Sequence, residues 1–238
     1  MKLGIMQPYF LPYIGYWQLM KAVDKYVIYD DVNFIKGGWI NRNRILLNGE
    51  PKYLNIQMSG ASPYKLINEI EINEDKIFIE KNMRMIYGAY KKAPYFSTIY
   101  PLVEKILFIE KNNLAEYLTE TFTVICDYLE INTELIVSST LKKDNNLHGQ
   151  DKVLSICSSL GATSYYNAIG GQSLYSYEDF RRRGIALKFL KTNKIEYKQF
   201  DNVFVENLSI LDVMMFNSKD KIIEFLDAFI IIEEDKDI

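Results

Sequence analysis

At 238 residues, with 48% hydrophobic and 25% charged side chains, the chain is long enough to bury a core as one large or two small domains. A net charge of −3 and a pI near 5.4 exclude a global basic field of the kind that gathers nucleic acid. One histidine and two cysteines without a Cys-x-x-Cys pair exclude an ordinary zinc centre, and no apolar run reaches the ~18 residues that a membrane span needs.

Taken in chain order, Lys2 to Gln7 reads as a short buried strand ended by Pro8 and Pro12, and a helical pattern follows from about Pro12 to Val23. Lys25 to Tyr29 is a second strand, ending at Asp30 and Asp31. Strand, helix and strand in succession make a βαβ unit, which implies parallel strands. Within residues 42–58, Asn48-Gly49 between two apolar runs signals a hairpin. Residues 74–129 carry three helical patterns. The first opens with Glu74 and Asp75 in its first turn and stops before Pro94, the second covers about 97–111, and the third runs from Leu114 to about Leu129. TELIVSS (133–139) is a strand, and Gly149 to Leu160 is a helix with Val153, Ile156, Cys157 and Leu160 on one face. TSYYN (163–167) and IALKFLK (185–191) are strands on either side of a short helix near 177–183. Helical stretches around 209–216 and 219–232 precede an acidic, frayed tail.

The expected fold is a single α/β domain over 1–238 with a mostly parallel sheet, Rossmann-like or nucleotidyltransferase-like, a helical insertion at 74–129 and C-terminal helices. Cys126 and Cys157 fall on apolar helical positions and read as buried thiols. Pro8 follows the first apolar run too closely for a signal peptide, so a cytoplasmic location is expected.

The aromatics cluster. Tyrosine and phenylalanine number 18 and 13, an excess that an AT-rich coding bias also explains. That bias does not explain MQPYFLPYIGYW (6–17) directly after the first strand. In open α/β sheets ligands lie beyond the carboxyl ends of the strands, and the following helix turns its free N–H groups toward them. Gln7 can read a ring edge there, Tyr9, Tyr13, Tyr16 and Trp17 can stack on a base or sugar, and Gly15 can permit close backbone approach. Packing of the helix onto the sheet is the competing use for these rings. Tyr13-Ile14-Gly15-Tyr16 also has the shape of the His-x-Gly-His motif of nucleotidyltransferases, with tyrosine replacing both histidines.

Two further stretches complete the candidate site. In YDDVNFIKGGWINRNR (29–44), Asp30 and Asp31 point to opposite sides of an extended chain, so one can be a general base while the other caps a turn. Lys36 and Arg42, around Gly37-Gly38, can close over phosphates, with Asn41 and Asn43 as neutral partners; Arg44 reads equally well as a solvated turn residue. In the second stretch His148 starts a helix and is the one imidazole suited to neutral-pH proton transfer, or else a cap or surface residue. Asn167, Gly170, Gly171, Gln172 and Tyr175 lie in the loop after a strand, at the same sheet edge if that strand is parallel to the first. Asp212, in an apolar helix, must be paired structurally or face the site. No metal ligands stand out.

MQPYFLPYIGYWQLMKAVDKYVIYDDVNFIKGGWINRNRIL, HGQDKVLSICSSLGATSYYNAIGGQSLY and LSILDVMMFN together resemble the WbqC-like family. The resemblance implies association with O-antigen and other surface-polysaccharide biosynthesis, and it carries over no catalytic residues. The combined expectation is an enzyme, a transferase or amide ligase, that acylates or aminoacylates the amine of a nucleotide-linked sugar. ATP or an acyl-CoA is the open choice of co-substrate. Asp30, Asp31 or His148 would deprotonate the amine. The alternative is a non-catalytic sugar-nucleotide-binding or scaffold protein of the same pathway, and a homo-oligomer or a complex with pathway enzymes is compatible with either.

Overall fold

The structure is a computed structural model describing residues 1–73, 75–201 and 203–234. The chain runs β1 (Lys2–Met6), α1 (Ile14–Lys21), β2 (Lys25–Ile28), β3 (Arg42–Leu47), β4 (Glu50–Asn55), β5 (Met58–Ser59) and β6 (Glu71–Ile72). It continues through α2 (Lys76–Tyr90), α3 (Phe96–Leu107), α4 (Leu114–Leu129), β7 (Glu134–Val137), α5 (Gly149–Ser159) and β8 (Ser164–Ala168). It ends with α6 (Tyr177–Arg182), β9 (Ala186–Thr192), α7 (Ile210–Phe216), α8 (Lys219–Leu226) and β10 (Phe229–Ile232).

Leu3, Gly4 and Ile5 are all buried, as befits a central strand covered on both faces. Six strands form one sheet in the order β10-β9-β8-β1-β2-β7, every neighbouring pair parallel except β9–β10. From β1 the chain first winds outward through β2 to β7, then returns to β1's other side with β8 and winds the opposite way to β9. The winding reverses between β1 and β8, and at such a point the loops at the carboxyl ends part and leave a crevice.

Each face of the sheet has its own apolar layer. Tyr26 and Ile28 pack with Trp17, Phe122, Ile86 and Met214, from α1, α4, α2 and α7. Leu3, Ile5 and Val27 pack instead with Val153, Ile156, Tyr165 and Phe180, so α5 and α6 cover that side. Cys126 belongs to the first layer and Cys157 to the second; burial pushes each thiol up to about 12. β3 and β4 form the expected hairpin, with Asn48 at φ 55° and Gly49 at φ 79°, the paired left-handed residues of a type I′ turn.

The C-terminal segment departs from expectation. The helix predicted over 219–232 stops at Leu226, and Phe229–Ile232 returns as an antiparallel edge strand on β9. Three isoleucines in succession favour extended backbone. The fully buried Gln18 fixes the turn, donating from Nε2 to the carbonyls of Phe225 at 2.7 Å and Ala228 at 3.1 Å. The tail is tied as far as it is described: Glu233 pairs with Lys188 and Glu234 with Arg181, while 235–238 lie outside the described residues. Glu74 also lies outside them, and Asp75 is the N-cap of α2 rather than a first-turn residue, accepting from the Ile77 amide. No helix is long and apolar enough to cross a membrane among the described residues.

Candidate functional site

The crevice between β1 and β8 is occupied by a cleft of about 770 Å³. Met6 and Gln7 at the end of β1, Tyr29 and Val32 after β2, and Asn167 and Ala168 at the end of β8 form its base. Tyr9 and Tyr13 form one wall, the first residues of α5 and the 170–175 loop the opposite one, and Ile35, Trp39, Asn43 and Arg44 overhang it.

The polar groups here are oriented by their neighbours. The Gln7 backbone carbonyl accepts from the Tyr16 hydroxyl at 2.8 Å, and the half-buried Gln7 lines the cleft with no side-chain hydrogen bond among the described residues. Burial raises the Tyr9 phenol, with Tyr13 adding to it; burial also raises Tyr13, partly offset by a hydrogen bond with Thr192. Burial and the nearby Asp31 raise Tyr29. All three are therefore neutral hydrogen-bonding groups at pH 7. Buried Asn167 donates to the hydroxyls of Tyr165 at 2.5 Å and Tyr175 at 3.2 Å, fixing its amide orientation. A Cβ at Gly171 would lie 2.8 Å from Asn167 Oδ1, so the loop can close over this amide only with glycine there.

Arg44 supplies the one cation among the described lining residues, none of which is Asp or Glu. It lies 5.5 Å over the Trp39 ring and donates to the Asn207 carbonyl at 3.3 Å, while its buried Nε has no partner. Asn43 holds this overhang in place, donating to the Phe10 carbonyl at 3.0 Å and accepting from the Arg44 amide at 2.8 Å.

Beneath the cleft, Asp31 sits between Lys143 at 2.8 Å and Lys152 at 3.0 Å; the side-chain exposures are 9%, 1% and 6%. Burial pushes the Asp31 carboxyl up, but Lys143 and Lys152 outweigh it and hold the group below the usual carboxylate range. Lys152 also donates to the Asp31 carbonyl and lies 5.4 Å over the Tyr29 ring. Two ammonium groups thus share one carboxylate.

The expected site residues separate accordingly. Gln7, Tyr9, Tyr13, Asn167, Gly170 and Gly171 line the cleft. Tyr16 lies below it in the core, against Tyr26 and Phe122. Gly15 serves packing: a Cβ there would lie 2.5 Å from both Thr192 Oγ1 and the Tyr13 ring. The Lys36 side chain is exposed outside the lining, and the Arg42 guanidinium turns to the Gly37 and Gly38 carbonyls, 4.5 Å over Tyr53. Asn41 donates to the Ile56 carbonyl, and Gln172 is exposed beyond the rim. Asp30 diverges from Asp31 as alternation requires, accepting from Ser139 N at 2.9 Å and Oγ at 2.6 Å beside a separate cavity. His148 is exposed at the start of α5, directly before the lining residue Gly149.

The sequence pattern does not single out Tyr29, Trp39, Lys143 or Lys152, and it leaves Arg44 balanced between a phosphate ligand and a solvated turn residue. Lys152 did carry a signal, since it occupies the apolar register of α5 with Val153, Ile156 and Cys157.

A family model described as the WbqC-like protein family matches residues 7–224. A Mycobacterium tuberculosis (strain ATCC 25618 / H37Rv) protein named "Uncharacterized protein Rv1507c" is 28% identical over 223 residues, which cover 91% of this chain and 93% of that one. No solved structure matches the chain. The matched stretch runs from Gln7 in the cleft to α8 and takes in both loops flanking the sheet reversal: the chain belongs to the WbqC-like protein family.

Proposed function

We propose that the cleft binds a nucleotide-linked amino sugar and that the chain acylates or aminoacylates the sugar's amine, in the making of an O-antigen or other surface polysaccharide. One observation carries the reading: an aromatic-walled cleft at the sheet's reversal point has an unopposed arginine and no carboxylate among its described lining residues. The rings suit a base or a sugar face. Arg44 and the surplus lysine charge below favour a diphosphate. In the reaction the amine nitrogen attacks the donor carbonyl, the leaving group departs with its bonding pair, and the ammonium proton passes to a base. His148 is the candidate for that base, because Asp31 is held ionised by two lysines and Asp30 faces another cavity. An ATP-activated carboxylate and an acyl-CoA remain the two classes of donor.

A second reading is favoured by the lining itself, which among the described residues includes no Asp, Glu, His, Lys, Cys or Ser. A protein that only holds a sugar nucleotide for a partner enzyme needs none of these. Binding and chemistry separate the two. UDP- and dTDP-linked amino sugars should raise the melting temperature of the wild type but not of Arg44→Gln. His148→Gln should keep that shift and lose product formation. Product formation undiminished in His148→Gln would remove the histidine from the chemistry, and no shift with any nucleotide-linked sugar would refute the cleft assignment.

A further inference from the structure

Behind Tyr13 lies a second cavity of about 310 Å³. It is bounded by the end of β9 at Thr192, by Tyr13 and Ile14 at the start of α1, and by residues 193–195, 197, 204 and 206–208 ahead of α7. Tyr13 and Asn207 border both this cavity and the cleft, so the two spaces are neighbours across one phenol ring and one amide. We infer that the second cavity is the binding site of a free α-amino acid, the carboxyl-bearing partner of the amine held in the cleft; this deepens the reading above and rests on it.

Size, charge and construction agree. About 310 Å³ is at the small end of ligand pockets, suited to a single amino acid rather than a nucleotide or a coenzyme A thioester. The cavity carries one cation and one carboxylate, Lys194 and Glu206, with the amides of Asn193 and Asn207 beside them. Lys194 is an exposed side chain ion-paired with Glu196 at 2.7 Å, and Glu196 first and then Glu206 raise its proton affinity. α1 starts at Tyr13 with no side-chain cap and no acidic residue in its first turn, leaving that end open to a carboxylate. A zwitterion meets complementary groups at both of its ends.

The wall is fixed by an arrangement that a merely structural segment would not need. Asp212, fully buried on α7, accepts from the hydroxyls of Tyr90 at 2.8 Å and Tyr197 at 2.7 Å and from Gln199 Nε2 at 2.6 Å. Gln199 in turn exchanges hydrogen bonds with the Val205 backbone, at 2.7 and 3.0 Å. Burial raises the Asp212 carboxyl, and Tyr197, Tyr90 and Gln199 offset part of that rise. A desolvated carboxylate held by neutral donors costs more than apolar packing of the same volume. Here it fixes Tyr197, which lines the cavity and meets Phe204 edge-on at 5.1 Å.

The test is calorimetric titration of the full chain with each of the twenty proteinogenic amino acids, with acetate and ethylamine as single-ended controls, in the absence and presence of a UDP- or dTDP-linked amino sugar. At least one amino acid should saturate a single site, and acetate and ethylamine should bind far more weakly. Lys194→Met and Glu206→Gln should each weaken binding about tenfold or more. Asn193→Trp, which fills the mouth from an exposed position, should abolish it. None of the three should change nucleotide-sugar affinity. An amino acid that binds and responds to these variants while no nucleotide-linked sugar binds would support this site and refute the cleft assignment. No amino-acid binding in the wild type, or binding indifferent to all three variants, would overturn the inference.

Discussion

Asp31→Asn should destabilise the protein far more than removal of either lysine paired with it. Both Nζ atoms lie within 3.0 Å of the same carboxylate oxygen, so they are at most about 6 Å apart. At an effective dielectric of about 20, two ammonium charges at that separation repel by roughly 3 kcal/mol. Asparagine keeps the shape, removes the one carboxylate paired with them among the described residues, and leaves two cations almost out of contact with solvent. The expected cost is about 3–5 kcal/mol, the range for stranding a buried charge. Lys152→Met leaves the Asp31–Lys143 pair intact at 2.8 Å and relieves the repulsion, so its cost should be only about 0–2 kcal/mol, mostly the lost bond to the Asp31 carbonyl. Urea unfolding at pH 7 measures both. A pH effect accompanies this. Asp31 is lowered in the fold, so its stabilisation is complete above the ordinary carboxylate value and disappears as pH falls through the lowered one. An Asp31→Asn variant within about 1 kcal/mol of wild type, or a lysine variant as damaging as it, would refute the reasoning.

Asp212→Ala removes the acceptor shared by Tyr90, Tyr197 and Gln199 and should cost about 3–5 kcal/mol by chemical denaturation. Because the Asp212 carboxyl is raised, its sign is opposite to that of Asp31: stability attributable to it is complete below the ordinary value and declines as pH rises through the raised one. Asp212→Asn should lack that decline in a pH series of urea melts. Gly15→Ala should cost about 1–3 kcal/mol and weaken nucleotide-sugar binding, since the new methyl displaces the Tyr13 ring or Thr192. Gly88→Ala, in α2 with nothing within 4 Å of the added methyl, should instead stabilise by about 0.5–1 kcal/mol. Arg44→Gln should reduce nucleotide-sugar affinity about tenfold or more in titration calorimetry, with little change in melting temperature of the unliganded protein.

Local chemistry made the first half of the fold legible. Pro8 and Pro12 punctuate the βαβ unit, and Asn48-Gly49 specifies its turn almost alone. Gln7, Tyr9, Tyr13, Gly170 and Gly171 come after β1 or β8 and Asn167 lies near the end of β8, the pair flanking the sheet reversal, so strand order alone brings them to one cleft. Among the cations, composition could not choose. Lys36, Arg42 and Arg44 lie within nine residues, and which one overhangs the cleft depends on the long-range Asn43–Phe10 bond. Lys143 pairs with Asp31 across more than a hundred residues, beyond the reach of any local pattern. The terminal strand was read as helix because a short apolar run fits either period.

The two buried thiols give each face of the sheet its own clock. Cys126 and Cys157 belong to separate apolar layers, and both are too buried and too weakly acidic to meet an alkylating reagent in the closed state. Each therefore reacts only when its own layer opens. Single-cysteine versions followed under native conditions would report whether the α1–α4 side loosens before the α5–α6 side. Adding a cleft ligand should slow the Cys157 clock first, because α5 is the helix that joins that thiol to the cleft.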